Sequence, residues 1–152
     1  MKTRPVGIRL GVIGWIALAL LGGCLSGEQR ERSTDARQRL ALAPAERDKV
    51  LAEMRMMLGS IGGTLHALVA NDMAGLEKAA RASGMAMAVG PHLEKQLPPQ
   101  FLELGERTHR GFDQLAYQAR AGGKREHLTR GLAGLTDHCV ACHAIYRLDK
   151  KR

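Results

Sequence analysis

Leu128-Thr129-Arg130-Gly131-Leu132-Ala133-Gly134-Leu135-Thr136-Asp137-His138-Cys139-Val140-Ala141-Cys142-His143-Ala144-Ile145-Tyr146-Arg147, close to the C-terminus, is the stretch on which the architecture turns. Leu128, Leu132, Leu135, Cys139, Cys142 and Tyr146 recur at three- and four-residue steps, which puts them on one face of a helix expected from about Arg125 to Arg147. The two cysteines therefore continue an apolar stripe, on the side of the helix that should face the protein interior.

Cys139, Cys142 and His143 stand at i, i+3 and i+4, so all three can point at one flat group. This is the CxxCH spacing of covalent c-type haem attachment: two thiols add across the vinyl groups, and the adjoining imidazole reaches the iron as proximal ligand. CxxC alone also suits a thioredoxin-like redox pair or half a zinc site. A Cys139–Cys142 disulfide would close too short a loop to add much stability. His138, Cys139, Cys142 and His143 have the right types for zinc, but crowded on one stretch of helix they cannot surround a tetrahedral ion.

Working back along the chain, three more helices are expected. Pro44 suits a first helical position, where its missing N–H is not needed, and Val50, Met54, Met57, Ile61, Leu65 and Leu68 form a stripe that ends near Ala70. Asn71-Asp72 caps a second helix with Leu76, Ala79 and Ala80 on its apolar face, stopped by Gly84. Residues 85–97, with Gly90-Pro91 and Pro98-Pro99 following, read as an irregular crossover containing Met85 and Met87. A third helix starts at the prolines, buries Phe101, Leu104, Thr108, Phe112, Leu115 and Ala119, and ends at Gly122-Gly123. No segment reads as a strand. The expected fold is all-α, an antiparallel four-helix bundle over residues 44–152 with a covalently bound haem among its helices.

The N-terminus points to export. Lys2, Arg4 and Arg9 precede the uncharged, largely apolar run Leu10 to Leu21, the pattern of a signal peptide over residues 1–23. That run is shorter than a membrane span requires. Leu21-Gly22-Gly23-Cys24 resembles a bacterial lipoprotein box, which makes Cys24 the expected lipidation site and a membrane surface the expected neighbour. All three cysteines then have a use. Residues 24–43 are polar and charged, with little apolar periodicity before Leu40, and read as a flexible tether. Export also takes the chain to the periplasm, where haem is covalently attached, so the signals at the two ends agree.

The whole chain has 23 Lys and Arg against 15 Asp and Glu; removing Lys2, Arg4 and Arg9 leaves 20 against 15, a net charge of +5. This is too small and dispersed a charge for nucleic-acid binding, which is not expected; it suits a solvated face or the steering of acidic redox partner proteins. Asp137-His138 lacks a serine to complete a triad, no phosphate loop is present, and the chain is not read as an enzyme.

Cys139-Val140-Ala141-Cys142-His143-Ala144-Ile145-Tyr146-Arg147 at the end of the last helix resembles the class II cytochromes c, which comprise cytochrome c prime and its methionine-ligated relatives. That family carries CxxCHxxYR or CxxCHxxFR there, whereas most other c-type cytochromes carry CxxCH near the N-terminus. The likeness covers roughly residues 44–152 and is strongest in the last helix. It implies one covalent haem c on Cys139 and Cys142, axial ligation by His143, and Arg147 one turn beyond, beside the proximal imidazole. It also implies a homodimer in many members.

Within that family a methionine from the first helix gives low-spin iron and electron transfer, while an apolar residue there leaves the iron open to NO or CO. Met54 is the first expectation for the sixth ligand and Met57 the second; the family's register lands near Arg55, which keeps Met56 in play. Methionines at helical spacing are also ordinary core filler. Of the other histidines, His138 is expected at a rim, His66 at the edge of the first stripe, His109 on the third helix, and His92 and His127 near loops. His66 or His109 could alternatively cap a haem edge or act as an unusual sixth ligand. Three readings stand: a lipid-anchored monohaem electron carrier, a haem protein that binds NO or CO, and a haem-free exported structural bundle.

Overall fold

In the computed structural model, Pro44 does begin the first long helix, and Ala43 ahead of it donates its N–H to the Glu46 carboxylate at 3.1 Å, half of a capping box. The structure describes residues 35–88 and 90–150. The expected signal peptide, Cys24 and the first part of the tether lie outside the described residues. The elements are β1 (Gln38–Leu42), α1 (Pro44–Ala70), α2 (Met73–Arg81), a 3-10 turn (Met85–Met87), α3 (Pro91–Glu94), α4 (Pro99–Arg120), α5 (Arg125–Ile145) and β2 (Tyr146–Lys150). The protein is mostly helical, of the all-α class. Among the described residues no helix is long and apolar enough to cross a membrane.

Local chemistry sets the helix ends. Asn71 closes α1 in the left-handed conformation at φ 57°, and the Asp72 carboxylate then accepts the Gly75 N–H at 2.8 Å to start α2. A Cβ on Gly75 would lie 2.2 Å from that carboxylate, so a larger residue there would push the Asp72 cap aside. Gly122, at φ 72°, ends α4 as the paired glycines suggested.

α1 packs on α2, α2 on α4 and α4 on α5, while α1 and α5 barely approach each other. One cluster fills the first three contacts: Leu68, Leu76, Ala80, Phe112, Leu115, Leu128, Leu132 and Leu135 are buried together. Side chains such as Phe112 and Leu115 each contribute about 1.5–3 kcal/mol on full burial. On α1 the buried positions are Val50, Ser60, Thr64, Ala67 and Leu68. Leu65, expected inside, is 48% exposed, because the helix turns Thr64 and Ala67 inward instead.

The sequence reading missed a strand pair. β1 and β2 form a parallel two-stranded sheet with Gln38 opposite Tyr146 and Leu40 opposite Leu148. β1 alternates: Leu40 and Leu42 are buried while Arg39 and Ala41 are exposed. An Arg39–Asp149 ion pair joins the strands diagonally. The folded part thus begins before residue 44, and residues 38–42, counted with the tether, belong to it; a compact unit starts at Ala36.

The last helix is correspondingly shorter than the expected Arg125 to Arg147. It stops at Ile145 because Tyr146 turns extended, at φ −117° and ψ 151°. Its ring packs edge-on to Phe101 with centroids 5.4 Å apart, and its hydroxyl donates to Gln100 Oε1 at 3.1 Å. Leu40, Leu42, Val50, Leu93, Leu97, Phe101 and Tyr146 make a second buried cluster beneath the sheet.

Candidate cofactor site

α5 changes neighbours partway along. Leu128, Leu132 and Leu135 are buried, but one turn later the same stripe presents Cys139 and Cys142 half-buried at a cleft. The cleft has a volume of about 840 Å³, within the ~300–1,000 Å³ typical of ligand and cofactor sites. It exists where α1 and α5 fail to meet. α1, α4 and α5 wall it: Met54, Met57, Leu58 and Ile61 from α1, Phe101, Leu102, Leu104 and His109 from α4, and His138, Cys139, Cys142 and His143 from α5.

The structure brings Cys139, Cys142, His143 and Met54 to one cavity, and separates the methionine candidates. Met54 packs against the same cluster as Cys142, beneath the sheet, whereas Met57 packs against the Leu-rich cluster at the other end. Met56 is 39% exposed and is not a wall residue. Arg55 is exposed and borders the cleft.

Cys139 and Cys142 are free thiols, and Cys139 lies 3.9 Å from the Leu135 carbonyl oxygen. Burial raises both pKa values; for Cys142, burial and then the neighbouring Cys139 push it up to about 11. Redox-catalytic and metal-binding cysteines need the opposite, a stabilised thiolate. Among the described residues no three His, Cys, Asp or Glu side chains gather as a metal site. His143 is exposed at the cleft edge.

Arg147 departs from expectation. With α5 ending at Ile145 it lies in β2 opposite Arg39, rather than one helical turn beyond His143, and it is not among the cleft's wall residues. His66 borders a separate depression between α1 and α2, and His92 and His127 are exposed. His138, expected at a rim, is half-buried in the cleft wall, with Nδ1 buried and lacking a hydrogen-bond partner.

His109 is only 2% exposed and has both ring nitrogens engaged: Nδ1–H donates to the Ser83 carbonyl at 2.8 Å and Nε2–H to Glu53 Oε1 at 2.7 Å. Burial alone would lower its pKa, but the hydrogen bonds to Glu53 and Ser83 outweigh burial and raise it above 6.5. A ring so committed has no free nitrogen for a metal. The sequence signal for its burial was the step from Gly105 to His109, Phe112 and Ala116, a second row beside the expected stripe. Nothing local marked Glu53 as its partner.

The cleft suits a haem of the c type: two thiols and an imidazole share one turn of its wall, apolar side chains and a thioether line the rest, and the volume is that of a cofactor site. His138 Nδ1 adds an orphaned polar atom at the same wall. No family model, curated protein or solved structure matches the chain.

Proposed function

We propose that the chain is a monohaem c-type cytochrome of the class II kind, an antiparallel four-helix bundle that carries electrons on the periplasmic side of a bacterial membrane. The observation that carries this reading is the convergence of Cys139, Cys142 and His143 with Met54 on one apolar cleft. Cys139 and Cys142 would hold the haem by thioether bonds, and His143 and Met54 would supply the iron ligands. Bound haem supplies a reversible one-electron change at iron.

The chain's own residues do the rest. Leu58, Ile61, Leu102 and Leu104 exclude water from the site, which favours the less charged, reduced state of a buried metal centre. A modest positive charge steers acidic redox partners, and lipid on Cys24 holds the domain at the membrane.

A second reading, an iron centre open to NO or CO, is favoured by one feature: Met54 already packs against the cluster around Val50 and Phe101, as a core methionine would. Absorption spectra of the purified protein, made with haem-attachment machinery, separate the two. A sharp low-spin reduced spectrum indifferent to CO supports the electron carrier; a broad high-spin spectrum that shifts with CO supports the gas binder; absence of haem removes both.

A further inference from the structure

α1 and α4 barely approach each other along their lengths, yet next to Met54 a buried hydrogen-bonded bridge spans the two. Glu53, with its side chain 14% exposed, reaches His109 of α4, itself 2% exposed. The far side of the ring is fixed as well, because Nδ1–H donates to the Ser83 carbonyl in the turn after α2. That turn is pinned in two further ways. Ser83 and Ser60 share a buried hydroxyl bond at 2.8 Å, and the Asp113 carboxylate accepts the Met85 N–H at 3.0 Å. A Cβ on Gly84 would come within 2.0 Å of Asp113 Oδ1, so a larger residue there would displace the carboxylate that holds the turn to α4.

Glu53 and Met54 are consecutive on α1, about 100° apart around its axis. Holding the Glu53 carboxylate at His109 therefore fixes the rotation of this turn of α1, and with it the direction in which Met54 faces the cleft. The cleft wall here has little support from α5, because α1 and α5 barely approach each other. Val50 and the contact with α2 hold the rest of α1, but between Val50 and Ser60 no residue of the helix is buried, so without the bridge this turn shifts locally and carries Met54 with it.

We infer that the Glu53–His109 bridge is a positioning device for the sixth-ligand methionine, deciding whether the iron site is closed by Met54 or open to a small molecule. The inference rests on the proposed haem reading, and on Met54 as ligand. Neither residue touches the iron; both act through α1. Because His109 has both nitrogens engaged, it is a strut and not itself a ligand.

The test uses the full haem-loaded protein and reads spin state by absorption, together with the fraction that binds CO when reduced, well below each variant's melting temperature. Glu53→Ala removes the acceptor, Glu53→Gln keeps an oxygen at the same place, and Ser60→Ala weakens the same buried network without touching Glu53. The expected result is a low-spin, CO-indifferent wild type, Glu53→Gln and Ser60→Ala like it, and a CO-bound fraction in Glu53→Ala larger by about tenfold, the scale of losing one charge-assisted hydrogen bond. If Glu53→Ala does not fold, His109→Gln, too short to keep both partners, is read in its place. A Glu53→Ala spectrum equal to wild type overturns the inference, as does an equal opening in Ser60→Ala. A wild type that already binds CO overturns it too while leaving covalent haem intact. A wild type with no covalent haem is the failure of the haem reading itself.

Discussion

The two halves of α5 make different use of one stripe. Over Leu128, Leu132 and Leu135 the helix is matched against α4 and the far end of the interior, and these side chains are 0–4% exposed. Over Cys139 and Cys142 the same face looks across a cleft at α1, and the cysteines, Met54, Met57 and Ile61 are all half-buried. The first half is finished protein packing. The second is apolar surface arranged around a space, which a folded chain supports only where rigid elements hold the walls apart. α4 backs the cleft, and the β1–β2 pair with its Leu40, Leu42 and Tyr146 cluster closes the end beneath it. The lesson is that an amphipathic stripe can serve as core and then as the wall of a cleft within a few turns.

Substitutions should act separately on the two halves. The largest effect is expected from Cys139→Ser combined with Cys142→Ser: covalent haem absorbance is lost outright, while circular dichroism retains a strongly helical spectrum because the Leu-rich half is untouched. Phe112→Ala is the converse. It empties a fully buried site and costs about 3–5 kcal/mol by denaturant titration, with the haem spectrum of the folded protein unchanged. If either substitution disturbs both halves equally, the division between core and wall fails.

Met54→Ala and Met57→Ala sharpen the comparison within α1. Met54→Ala is expected to make the reduced iron bind CO, whereas Met57→Ala, packed toward the Leu-rich cluster, costs about 1 kcal/mol of stability and leaves CO binding alone. The smallest effect is in pH. Folding raises the His109 pKa above 6.5, the hydrogen bonds from Glu53 and Ser83 outweighing burial, so its contribution to stability is complete below pH 6.5. The contribution is lost as pH rises through the raised value. The melting temperature of the wild type should fall over that rise, and that of His109→Gln should change less.

The helices were legible in the sequence for reasons that stay local. Pro44, Asn71-Asp72, Pro98-Pro99 and Gly122-Gly123 each fix a backbone state within a few residues, and α1, α2 and α4 begin or end where they indicate. The strand pair was not legible. Gln38–Leu42 and Tyr146–Lys150 are five residues each, at opposite ends of the folded chain, and neither is recognisable without its partner. That pairing also ended α5 early and took Arg147 away from the position the helix would have given it. At the site, Cys139, Cys142 and His143 announce themselves by spacing. Met54 was expected ahead of Met57 on one stripe, but that the two pack against different clusters is visible only in three dimensions. Glu53 and His109 meet only in three dimensions, across helices that otherwise stay apart, and no period within either helix encodes that meeting.

The central claim, that this cleft holds haem bound through Cys139 and Cys142, is tested most directly by denaturing the purified protein in acidified acetone and weighing the polypeptide. The account predicts that the colour stays with the protein and that its mass exceeds that of the processed polypeptide by one haem. Colour that passes into the solvent, or a mass of polypeptide alone, would contradict it.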